Sequence, residues 1–154
     1  MAYQSDNFAN AARFGLDLKK WIVKQQGNLE AKVKKVAITI HNDVIFLTRV
    51  DTGRARSNWN VALNDPDPSI VEPPQEWHAN RKGHVNGTPL HELAGSESVA
   101  KQVVLASYKL SDIIYISNSV PYIGYLEYGT DRTQADHMVL TALQNAETML
   151  QSNP

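Results

Sequence analysis

The sequence predicts an α+β fold, in which a long N-terminal-half helix and a C-terminal helix pack on a small mixed or antiparallel sheet. Three observations favour it: an apolar stripe with helical spacing over residues 29–50, two short segments rich in β-branched residues, and a second helical stripe near the end of the chain. The chain has 154 residues, 42% of them hydrophobic and 20% charged, which suits one domain over residues 1–154.

The first predicted element covers residues 7–26 as one or two short helices. Its apolar positions have the spacing of one helical face, and Gly27-Asn28 is expected to end it. These positions are Phe14, Leu18, Trp21 and Ile22.

The next predicted helix, about 29–50, has the clearest periodicity. Six apolar residues fall within about 80° of a helical wheel at 100° per residue. They are Leu29, Val33, Val36, Ile40, Val44 and Leu47. Ile38 and Ile45 lie on the opposite side, and Phe46 stands off the stripe. This second apolar patch needs a partner, which is either another part of the chain or another subunit.

Two segments are predicted to be strands. The helix ends at Asp51-Thr52-Gly53, where glycine can close it. Residues 57–63 then alternate in polarity, as a half-buried strand does. Residues 112–117 are rich in isoleucine and form the second predicted strand.

Residues 64–95 are predicted to form a long proline-rich loop. Five of the seven prolines lie there, and a loop of this length is usually functional or disordered. Trp77 lies within it. This large aromatic side chain is a candidate anchor for a partner, or it folds back onto its own domain.

Three helices are expected in the second half of the chain: 96–110, a short one between Pro121 and Gly129, and a last one from about Asp136. Apolar side chains cover about 220° of the short helix, far more than one buried face requires. Tyrosine is enriched at protein interfaces, and this helix region carries three: Tyr122, Tyr125 and Tyr128.

The net charge of −1 gives no general attraction to nucleic acid or membranes. Residues 1–50 nevertheless carry eight basic and four acidic side chains, and residues 111–154 carry one basic and five acidic. Such ends can pair head to tail between copies, or they reflect unlike solvated helices. The lysines at 19, 20 and 24 and those at 32, 34 and 35 are expected to wrap around two separate helices.

No catalytic, metal-binding or cofactor-binding residue is predicted. His91-Glu92 begins like a zinc-protease motif, but position 95 is Gly rather than the second histidine. Arg54 and Arg56 would project to one side of an extended chain and could bind a carboxylate of a neighbouring subunit. Alternatively, they pair within the chain with Glu127 or Asp131, or they are exposed to solvent.

Two blocks of the sequence have a distinctive composition. The first is Val50 to Trp59, Val-Asp-Thr-Gly-Arg-Ala-Arg-Ser-Asn-Trp, after a long helix. The second is Ile116 to Gly129, which contains Val-Pro-Tyr-Ile and Leu-Glu-Tyr-Gly, and a Gln134-Ala135 loop and a terminal helix follow it. In this order, over about residues 29–150, the chain resembles the tail-completion (neck) proteins of tailed bacteriophages, of the lambda minor tail protein Z type.

The resemblance implies a non-enzymatic virion protein that acts in the neck and is assembled in the host cytoplasm. Its implied partners are further copies in a ring, the head connector or adaptor, and the tail tube or tail terminator. DNA in the lumen is a further candidate partner, and no membrane is expected. The alternatives are a non-specific DNA-binding protein that uses the basic N-terminal helices and, less favoured, a small hydrolase. The candidate interface residues are Ile38, Ile45, Phe46, Arg54, Arg56, Trp77, Tyr122, Tyr125 and Tyr128.

Overall fold

The computed structural model describes residues 2–152, with side chains described for residues 19–21 and 23–152. The fold is α+β, as predicted. In chain order its elements are α1 (Ala2–Leu47), a 3₁₀ turn (Arg56–Asn58), β1 (Asn60–Leu63), α2 (Gln75–Ala79), β2 (His84–Val85), β3 (Thr88–Pro89), α3 (Leu90–Val99), a 3₁₀ helix (Ala100–Ser107), β4 (Ile114–Ser117), α4 (Ile123–Tyr128) and α5 (Met138–Ser152).

Helix α1 is one continuous helix of 46 residues, about 69 Å long at 1.5 Å per residue. The predicted break at Gly27-Asn28 is therefore wrong. A glycine inside a helix costs about 1 kcal/mol relative to alanine, but it removes no hydrogen bond, and proline is absent from this stretch. Of the first predicted face, Phe14, Leu18 and Ile22 lie outside the described side chains.

The buried face of α1 is rotated from the predicted stripe. Ala37, Val44 and Ile45 are buried, whereas Leu29 and Leu47 are exposed. Ile45 has no exposed surface and packs with Trp59, Met138 and Ala142 in the main core. Of the two partners considered for the second apolar patch, Ile45 has the one within its own chain, so its candidacy as an interface residue is wrong. The rotation arises because the polar residues His41 and Thr48 are also fully buried on this face. A face predicted from apolar residues alone leaves them out.

The main sheet has two antiparallel strands, β1 and β4, in the register Asn60 opposite Ser117 and Leu63 opposite Ile114. A second pair, β2 and β3, forms a hairpin around Asn86-Gly87. Both turn residues have positive φ, 49° and 81°, which matches the turn that joins two strands most tightly.

Residues 64–95 are not structureless, because they contain α2, the hairpin and the start of α3. Trp77 on α2 is only 5% exposed and packs with Val85, Leu90 and Ala94. Its ring also covers Gly53, where φ is +85° and an added Cβ would lie 2.9 Å from the ring. Trp77 therefore folds back onto its own chain and is not a free docking anchor.

The helix predicted over 96–110 divides at Val99 into the end of α3 and the 3₁₀ helix. Helix α5 runs antiparallel to α1, as the pairs Thr48 with Met138 and Thr39 with Met149 indicate. Across the residues that the structure describes, no helix has a stretch long and apolar enough to span a bilayer.

Candidate interaction surface

The segment after α1 is held together by Arg56, whose side chain is almost fully buried. Its guanidinium donates to the carbonyl of Thr48 at 2.9 Å, of Phe46 at 3.0 Å and of His91 at 3.3 Å. The last carbonyls of a helix have no partner within the helix, so Arg56 satisfies the end of α1 and fastens it to α3. Burial lowers the pKa of Arg56. The prediction that Arg56 binds a carboxylate of a neighbour is wrong.

Trp59 and His41 join this segment to α1. The Trp59 indole N–H donates to the Thr48 hydroxyl at 2.8 Å, and His41 Nε2 is 2.9 Å from the Trp59 carbonyl oxygen. Gln102 donates to His41 Nδ1 at 2.9 Å, so Nε2 carries the ring proton in this arrangement. Burial lowers the pKa of His41, and the bond to Trp59 opposes that shift.

Two buried asparagines hold residues 67–71 against the segment between Arg56 and Leu63. Asn58 exchanges two hydrogen bonds with the backbone of Val71, and the Asn60 amide donates to the carbonyls of Asp67 and Ser69. The Lys101 ammonium donates to Asn60 Oδ1 at 2.7 Å. Burial lowers the pKa of Lys101. These hydrogen bonds hold residues 67–71 beside β1, although residues 67–71 form no strand.

Arg54 lies at the surface and connects three parts of the chain. It forms an ion pair with Glu72 at 2.6 Å, and its guanidinium lies 5.8 Å from the centre of the Tyr122 ring. Neither predicted intrachain partner, Glu127 or Asp131, contacts it. Arg54 thus joins the first motif block to the second by a cation–π contact.

Glu127 has a structural role that the sequence did not reveal. Its carboxylate, almost fully buried, accepts from the backbone N–H groups of Val139 at 2.9 Å and Leu140 at 3.1 Å. A negative charge is favourable at a helix N-terminus. Glu127 therefore caps α5, whereas Asp136, the predicted cap, pairs with Arg49 at the surface.

Several exposed apolar side chains lie on α4 and the first turns of α5. Tyr125 is 64% and Tyr128 79% exposed, one helical turn apart. Tyr128 and Val139 line a shallow cleft of about 240 Å³ together with Ile116, Ile123 and Met138. We call the following five residues the α4–α5 surface: Tyr125, Tyr128, Val139, Leu140 and Leu143.

The structure separates the predicted interface residues into three groups. Tyr125 and Tyr128 belong to the α4–α5 surface, with Tyr122 half-buried beside Arg54. Ile38 and Phe46 lie on α1 and are 36% and 61% exposed. Phe46 lies beside α3, near Gly95. The third group, Ile45, Arg56 and Trp77, is buried in the chain itself.

The loop histidines His78, His84 and His91 are exposed. Among the side chains that the structure describes, 19–21 and 23–152, no group of three or more His, Asp or Glu is arranged to hold a metal ion. Comparisons with protein-family models, curated proteins and solved structures gave no match.

Proposed function

We propose that this protein is a structural virion component that joins the head connector to the tail, as a ring of identical subunits in the neck. The motif resemblance supports this role, and the α4–α5 surface is the observation that carries it. All five of its residues are aliphatic or aromatic, and four of them are about half exposed or more. The surface adjoins a cleft that a side chain of a neighbouring subunit can enter.

The surface can supply one of the two unlike faces that a ring contact joins. A ring needs such a heterologous contact, repeated until the rotation closes. The rigid support for it comes from inside the chain, because Glu127 fixes α4 to the start of α5 and Arg54 fixes Tyr122 to the first block. Fully burying an exposed Leu side chain contributes roughly 1.5–3 kcal/mol, so Leu140 and Leu143, which are already about half buried, would each contribute about half of that.

The experiment compares Leu143→Asp with Val103→Asp. Both residues are exposed aliphatic side chains, and Val103 lies on the 3₁₀ helix. Native mass spectrometry over a concentration series is expected to show a closed oligomer for the wild-type chain and the Val103 variant. The Leu143 variant is expected to stay monomeric while keeping wild-type helicity.

Complementation tests the virion role itself. Deleting the gene from its phage or prophage is expected to leave separate heads and tails, which the purified wild-type protein rejoins in a lysate. The Leu143 variant is expected not to restore infectious particles. Normal particles after the deletion would refute the proposal, and so would full restoration by the Leu143 variant.

A further inference from the structure

The continuity of α1 brings together lysines that two separate helices would keep apart. With one helix through Gly27, Lys20 and Lys24 have nearly the same rotational phase as Lys34 and Lys35. At 100° per residue these four fall within an arc of about 100°, and they extend over about 22 Å along the axis. The expectation that these lysines wrap around two separate helices rather than forming one stripe does not hold for these four residues.

The residues between the two lysine pairs are small. Gly27 and Ala31 occupy the middle of this arc, and a Cβ added at Gly27 would meet nothing within 4 Å. A bulky linear partner can therefore approach the helix backbone while lysines reach it from both ends. We call Lys20, Lys24, Lys34 and Lys35 the lysine face.

The charge of this face is uniform over the described side chains. From residue 19 to residue 42 the arc holds no Asp or Glu, and Glu30 lies about 40° outside it, next to Lys34. The three ion pairs found among the described residues involve other basic side chains. Asp17 precedes the face, and its side chain is outside the described residues. Because like charges repel along a helix, an external polyanion relieves the repulsion.

A second copy of this chain is a poor source of that polyanion. In the acidic C-terminal part, Glu127 is used to cap α5, Asp136 pairs with Arg49, and Asp112 accepts from Asn64 and the Lys109 backbone. Of the five acidic residues there, Asp131 and Glu147 are left to face four lysines. Duplex DNA carries one charge per about 1.7 Å of its axis, so a length of 22 Å presents about 13 phosphates. No aromatic side chain on which unpaired bases could stack lies within the arc, and the exposed Trp21 lies about 40° outside it.

We propose that the lysine face of α1 binds the phosphate backbone of double-stranded nucleic acid without reading its sequence. This inference does not rest on the proposed role in the virion, because it needs only the continuous helix and its lysines. In a ring around a DNA channel, the same face would be the surface that contacts the passing duplex.

The first test measures binding of a fluorescent 20-base-pair duplex by anisotropy over a salt series. The variant replaces Lys20, Lys24, Lys34 and Lys35 with Gln, and the matched control replaces Lys19, Lys32, Lys82 and Lys109 with Gln, so both lose the same charge. Each lost phosphate contact lowers the slope of log K against log salt by about 0.9. We expect the first variant to lose about 3 units of slope and at least tenfold in affinity, and the control to change less than threefold.

The second test changes the phase of the helix without changing its charge. Two alanines inserted after Gly27 rotate the two lysine pairs by about 200° relative to each other, whereas seven alanines restore the phase to within about 20°. We expect the two-alanine variant to bind the duplex at least fivefold more weakly and the seven-alanine variant to bind within threefold of wild type. Circular dichroism establishes that both remain helical.

Three results would overturn this inference: equal losses in both glutamine quartets, equal binding by both insertion variants, or tighter binding of polyglutamate than of the duplex. Native mass spectrometry of the lysine-face variant separates this question from the proposed function. A variant that forms the wild-type oligomer but no longer binds the duplex has lost only the nucleic-acid contact.

Discussion

The two blocks that carry the family resemblance use their side chains in opposite ways. In the block that ends at Trp59, the side chains of Arg56, Asn58 and Trp59 are buried and bonded within the chain. In the block that ends at Gly129, Tyr125 and Tyr128 are exposed. The first block therefore organises the fold through these three residues, and the second presents a surface while its Glu127 stays buried as the cap of α5. A resemblance of sequence does not by itself distinguish these roles, and burial does.

Ile45→Asp is expected to have the largest effect on stability. A carboxylate at this fully buried position would have no partner, so we expect a loss of at least about 4 kcal/mol and no folded protein at 37 °C. Circular dichroism and urea unfolding measure the loss. The matched control is the adjacent Phe46→Asp, whose side chain is already exposed and which should stay within about 1 kcal/mol of wild type. Equal losses in both variants would contradict the assigned face of α1.

Arg56→Gln is expected to cost about 2–4 kcal/mol, because three carbonyl groups lose a charged donor and two of them end α1. Arg54→Gln should cost less than about 1 kcal/mol, since its ion pair with Glu72 is exposed to solvent. Urea unfolding of the two variants compares the interior and the surface of one block. A larger loss for Arg54 would reverse the assignment.

His41 predicts a pH dependence of stability. Burial lowers the pKa of folded His41 below its ordinary value of 6.5, so the unfolded chain takes up a proton first as the pH falls. The free energy of unfolding should therefore fall below about pH 6.5, by at most about 1.4 kcal/mol per pH unit, until the folded pKa is reached. His41→Gln should flatten this slope, and His137→Gln, at an exposed position, should keep it. A slope unchanged in the His41 variant would exclude this histidine as its source.

Tyr125→Asp is expected to have the smallest effect on the free energy of unfolding, within about 0.5 kcal/mol, because the ring is already exposed. Its effect should appear instead in assembly, as a shift from oligomer to monomer in native mass spectra. Val103→Asp again serves as the exposed control. Loss of helicity in the Tyr125 variant would mean that this side chain supports the fold rather than a contact.

The α+β class, both strands of the main sheet and the C-terminal helix followed from periodicity and β-branched composition. The first strand is shorter than predicted, because residues 56–58 form a 3₁₀ turn and β1 begins at Asn60. The buried face of α1 did not, because His41 and Thr48 face inward through hydrogen bonds to Trp59 that depend on distant chain segments. The hairpin at Asn86-Gly87 was predictable in principle, since this dipeptide is the strongest short-range signal for a two-residue turn. The proline content around it obscured that signal.

The candidate surface was predicted in part. Tyr125 and Tyr128 followed from the width of the apolar arc on α4, but the contribution of Val139, Leu140 and Leu143 did not. Helix α5 packs only one side on α1, and its other apolar side can be recognised only when the position of α4 is known. The role of Glu127 was equally hidden, because a cap supplied from 12 residues away leaves no local pattern.

Asn58 and Asn60 hold residues 67–71 in a way that tolerates side-chain substitutions there but not the loss of a backbone N–H. Every bond from Asn58 and Asn60 to this stretch ends on a main-chain atom, so the side chains of the stretch can be exchanged while it stays attached. Val71→Pro is the exception, because proline has no backbone N–H to donate to Asn58 Oδ1. The side chains of residues 67–71 can therefore be substituted without changing the packing of the residues beneath them.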